Sequence, residues 1–68
     1  MKKLFRVIIT YLNSQNQKRQ VRRVGDGLDS TLQRARDVAE ASGINETIET
    51  QIFVKEKKGK KYVYREIS

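Results

Sequence analysis

Sixty-eight residues, with 37% apolar and 34% charged side chains, suit one small globular domain spanning 1–68 and nothing larger. The chain has no cysteine, which excludes a disulfide framework and a thiolate zinc site. It also has no histidine, which removes the commonest general base and metal ligand together. The net charge of +7 is unevenly placed, since residues 24–54 sum to −4 and the rest to +11, so an electrically two-sided domain is expected.

The longest apolar stretch, around Val7 to Ile9, is far too short to span a membrane, and no membrane partner is expected. The start, Met1-Lys2-Lys3-Leu4-Phe5, faintly suggests a signal peptide. Arg6, Thr10 and Asn13 break up any apolar region, and no small-residue cleavage site follows. Cytoplasmic residence is therefore the plain expectation.

From Leu4 to Leu12, Phe5, Val7, Ile9 and Tyr11 form an unbroken apolar face at period two, which predicts a strand. The other face carries Leu4, Ile8 and Leu12 beside Arg6 and Thr10, as a central strand would. Asn13 to Gln17 reads as a turn. Lys18 to Val24 is a weaker strand whose basic load suits a protected edge. Val21 and Val24 differ in parity, which predicts a bulge near Arg22-Arg23.

Gly25-Asp26-Gly27 turns the chain into a helix expected over Ser30 to Ser42. Ser30 and Gln33 fit a capping box, with Asp29 as the alternative cap. Leu28, Leu32, Ala35, Val38 and Ala39 share one helical stripe, and Gly43 matches a glycine C-cap with Ile44 folding back. Thr47 to Glu56 is a third strand, with Ile48, Thr50, Ile52 and Val54 on one face. Lys61 to Ile67 is the fourth strand. A three-residue loop with Gly59 at its left-handed position would set Val54 opposite Tyr62 and Ile52 opposite Tyr64, whereas a two-residue loop pairing Val54 with Val63 would bury Arg65. The longer loop is preferred. The expected architecture is α+β: a four-stranded antiparallel sheet (ββαββ, order 2-1-3-4) with one helix packed on one face.

An enzyme is not expected. Gly25-Asp26-Gly27 lacks the third glycine and the lysine of a phosphate loop, and Asp26 and Asp29 would repel phosphate there. The carboxylate pairs Glu46/Glu49 and Asp37/Glu40 read as solvated surface charge, and no cofactor or metal is implied.

The basic segments carry the stronger signal. Lys18, Arg19, Arg22 and Arg23 form one cluster; Lys55, Lys57, Lys58, Lys60 and Lys61 form another, with Tyr62, Tyr64, Phe53 and Tyr11 nearby. Such clusters gain affinity for DNA or RNA phosphates by releasing counterions, with little sequence specificity. In the expected order they occupy the two outer strands, about 15 Å apart. Solubility and edge protection are the competing explanation.

A single helix would leave Leu4, Ile8, Leu12 and Phe53 as an apolar stripe on the other sheet face, unless Arg6 and Lys55 stems lie over it. That stripe suggests a homodimer. The alternative function is a protein-binding accessory or inhibitor, of the phage or mobile-element type, using that face or a strand edge.

Overall fold

The computed structural model describes residues 3–67; Met1 and Lys2 of the basic start, and Ser68, lie outside the described residues. The elements are β1 (Phe5–Asn13), β2 (Lys18–Gly25), α1 (Leu28–Ala41), β3 (Ile44–Lys58) and β4 (Lys61–Glu66). They form one antiparallel sheet in the order β2-β1-β3-β4, as the hydrophobic pattern predicts. The most apolar strand, β1, lies between β2 and β3, and α1 packs over β1 and β2.

The core lies between that helix and the sheet. Val7, Ile9 and Tyr11 of β1 meet Val21 of β2 and Ala35 and Ala39 of α1, with Leu28, Leu32, Ile44 and Ile52 packed at its margin. Burying an aliphatic side chain of this size stabilises the fold by about 1.5–3 kcal/mol. The alanines let the helix approach closely. Thr31, rather than Val38, completes the buried side of α1; Val38 is exposed.

The helix begins two residues earlier than expected and without a capping box. Gly27 is the N-cap, Ser30 Oγ donates backward to the Gly27 carbonyl at 3.2 Å, and Gln33 Nε2 donates to Asp37 Oδ1 at 2.8 Å. Entry at Leu28 brings that leucine onto the core, which outweighs the missing side-chain cap. The other end is as predicted: Gly43 sits at φ +82, its N–H bonding the Glu40 carbonyl at 3.0 Å.

β1 and β2 pair without interruption from Phe5↔Gly25 to Leu12↔Lys18, so the bulge expected near Arg22-Arg23 is absent. Val21 faces the core, while Val24, opposite Arg6, faces away and is exposed. The irregularities lie instead in β3. Its register against β1 slips at Ile48 and again at Asn45, each an extra residue. Ile48 therefore leaves the face it was expected to share with Thr50, Ile52 and Val54.

The β3–β4 hairpin also differs from expectation. Lys58 pairs with Lys61 across a two-residue turn, with Gly59 at φ +62 and Lys60 outside the left-handed region, the pattern of a type II′ turn. Val54 then faces Arg65, not Tyr62 or Val63. The Arg65 charge stays at the surface, its Nη2 2.6 Å from Glu56 Oε1, so no buried charge results.

β1 pairs with β3 as far as Val54, and β4 pairs with β3 only from Phe53 onward. The last part of β3 and all of β4 thus project as a two-stranded arm. The described body measures 45 × 18 × 15 Å, and its radius of gyration is 13.3 Å. A compact chain of this length would have about 11 Å.

Candidate functional site

Side chains alternate across a strand, so the pairing register decides which face each basic residue occupies. Val7, Ile9 and Tyr11 point to the helix; Arg6, Ile8, Thr10 and Leu12 point away. Lys18 and Arg22 of β2 lie opposite Leu12 and Ile8, on the helix-free face. Phe53 lies opposite Arg6, which places Lys55 and Lys57 on that face as well, with Tyr64 and Tyr62 as their cross-strand partners. Five cations from three strands, Lys18, Arg22, Arg6, Lys55 and Lys57, therefore form one diagonal row.

None of these five is held in an ion pair among the described residues, in contrast to Arg65. Glu46, Glu49 and Glu66 also lie on this face, opposite Leu12, Thr10 and Phe53, but to one side of the row. The row therefore presents uncompensated positive charge bordered by acids.

Aromatic rings support its distal half. The Arg6 guanidinium carbon lies 4.0 Å from the Tyr64 ring centre and 5.3 Å from that of Phe53, and Lys55 Nζ lies 4.9 Å from the centre of Tyr62. Such contacts contribute about 0.5–1 kcal/mol at exposed sites, and they hold flexible cations in place. Arg6 Nε is buried without a hydrogen-bond partner, so stacking on the rings, not hydrogen bonding, fixes this end of the side chain.

The other residues expected at the site fall elsewhere. Arg19 and Arg23 lie opposite Tyr11 and Val7, on the helix side; Arg19 donates to Gln17 Oε1 at 3.1 Å and Arg23 to the Arg22 carbonyl at 2.7 Å. Lys58 and Lys61 also point to the helix side, and Lys60 occupies the turn tip. Nor do the two clusters flank the sheet at a common level. From the Lys18 level, seven residue steps along β1 reach Phe5, and three more along β3 lead from Val54 to Lys57. That separates the ends by about 33 Å along the strands, well beyond the lateral spacing alone.

From the sequence, Arg6 reads only as a covering stem, and Tyr64 falls on the core face. The parity of Arg6 with Ile8 was available to find the first. The second depended on the hairpin register.

No protein-family model matches this chain, and no curated protein or solved structure matches it either.

The expected apolar stripe is partly covered within the chain. Ile8 is only 9% exposed, Leu4, Leu12 and Phe53 are half-buried, and Thr10 is buried beneath Gln20, which donates to its hydroxyl at 3.2 Å. Gln20 and the Arg6 stem cover the middle of this face. Val24 remains exposed on this face opposite Arg6, and Val38, Ile48, Val63 and Ile67 are exposed elsewhere. No helix among the described residues is long and apolar enough to cross a membrane.

Proposed function

We propose that this protein binds nucleic acid through the helix-free face of its sheet, gripping phosphates with little sequence specificity and catalysing no reaction. The row Lys18–Arg22–Arg6–Lys55–Lys57, free of internal ion pairs, carries this reading. Cations spaced along paired strands suit a regularly charged polymer, because each contact releases condensed counterions. Edge protection alone explains lysines on β2 and at the hairpin tip, but it does not call for Arg6 in the middle of the sheet, supported on two rings.

The reading is tested by titrating salt in a binding assay with DNA and RNA. Five phosphate contacts give a slope of log K against log[salt] of about −4.5 on a duplex and about −3.5 on a single strand. Affinity for a duplex then falls by a few hundredfold between about 50 and 200 mM salt. A slope near zero would rule phosphate contact out.

A protein partner is the second reading, favoured by a different observation. Val63 and Ile67 are exposed on the helix side, Ile48 is exposed at the first bulge of β3, and among the described residues no strand covers the outer edge of β3 from Ile44 to Gln51. Added strands dock on such edges through main-chain hydrogen bonds. Binding of this kind would hardly respond to salt.

A further inference from the structure

We infer that the ligand of the helix-free face is double-stranded B-form DNA, engaged over about one helical turn; this rests on the nucleic-acid reading above and narrows it.

The first ground is length. Lys18 and Lys57 mark the ends of the row, about 33 Å apart along the strand direction by residue rise. A turn of B-DNA advances about 34–36 Å, so a row of this length laid along a duplex meets the same phosphate ridge at both ends. The long, narrow body of 45 × 18 × 15 Å suits such a side-on approach.

The second ground is the state of the aromatic rings. Proteins that hold single strands stack successive bases on open rings. Here Tyr11 is buried in the core, Phe53 and Tyr64 are half-buried beneath Arg6, and Tyr62, though 52% exposed, lies beneath Lys55. The rings serve to hold cations, not to receive bases. A duplex keeps its bases stacked inside and asks only for correctly spaced charge.

The third ground is register. Four of the five cations stand on residues paired in the β1–β2 and β3–β4 ladders, and Arg6 is paired on both sides. Pairing fixes their order and their rise along the row, which suits a polymer with regularly placed phosphates. Glu46 and Glu49, on the first half of β3, repel any strand that strays from the diagonal. An A-form RNA helix, with its narrow major groove and wide minor groove, spaces its phosphate ridges differently.

A length series tests this at one low salt concentration, using mixed-sequence DNA duplexes from half a turn to two turns, the matching single strands, and RNA duplexes. Affinity is expected to climb steeply until the duplex reaches about 10–11 base pairs and then level off, with duplex DNA about tenfold tighter than the other two. Lys18→Gln is expected to weaken the full-turn duplex and leave the half-turn duplex unaffected. A plateau at half a turn, or equal binding of single strands or RNA duplexes, overturns the B-DNA assignment while the phosphate-binding reading stands. No binding to any of the three overturns both.

Discussion

Arg6 illustrates how one residue can serve fold and surface at once. Its guanidinium rests on Tyr64 and Phe53, and its Nε is buried without a partner. A double-mutant cycle of Arg6→Gln with Tyr64→Leu should return a coupling of about 0.5–2 kcal/mol in chemical denaturation, and a coupling near zero would mean the stack is incidental. Among the described residues, Thr31 also has a buried polar group without a partner; its hydroxyl lies in the helix–sheet interface. Thr31→Val keeps the shape and removes an unsatisfied group, so the protein should gain about 1 kcal/mol, seen as a higher melting temperature. Gly25 lies where β2 runs under the first turn of α1, and a Cβ there would overlap Thr31 Oγ1 and the Arg34 guanidinium. Arg34 is already committed to the Val24 carbonyl at 3.0 Å, so it cannot swing away without loss. Gly25→Ala is expected to destabilise by about 1–3 kcal/mol in the same denaturation assay.

Among the elements, β1 and α1 were the most legible from the residues themselves. Phe5, Val7, Ile9 and Tyr11 alternate without a break, and the Leu/Ala stripe ends at a glycine; each signal has one physical interpretation. The hairpin register had several, because β4 sets Val63 between two tyrosines, so both of its faces carry apolar groups and none is buried deeply enough to select a partner for Val54. The type II′ turn decides instead, and it slips the pairing by an odd number of residues. A slip of that kind moves every side chain to the other face. Tyr62 and Tyr64 therefore leave the core side and join Arg6 and Lys55, which is why the cation–aromatic cluster could not be seen beforehand. The bulges at Ile48 and Asn45 carried no local signal either, since Ile-Glu-Thr continues the alternating pattern through the slip. The arm formed by Lys55–Lys58 and Lys61–Glu66 contains little buried apolar surface. Its amides should exchange with solvent orders of magnitude faster than those of Val7 and Ile9, measured by hydrogen exchange; equal protection would show the arm to be part of the cooperative core.

At the scale of the molecule, charge separation was readable as a sum along the chain, and its geometry was not. The two basic clusters look like equivalent edges in sequence, yet alternation sends Arg19, Arg23, Lys58 and Lys61 to the helix side and leaves Lys18, Arg22, Lys55 and Lys57 in line with Arg6. A protein that bound DNA merely because it is cationic would not distinguish these halves. Two charge-matched variants do. Arg22→Gln/Lys55→Gln/Lys57→Gln removes three cations from the row; Arg19→Gln/Arg36→Gln/Lys61→Gln removes three exposed ones from the helix side. Measured by salt-titrated binding to a duplex of one turn, the first variant should lose most of its affinity and about 2.7 of its salt slope, while the second keeps a slope near the parent value of about −4.5. Equal losses in the two would contradict a binding row on the helix-free face.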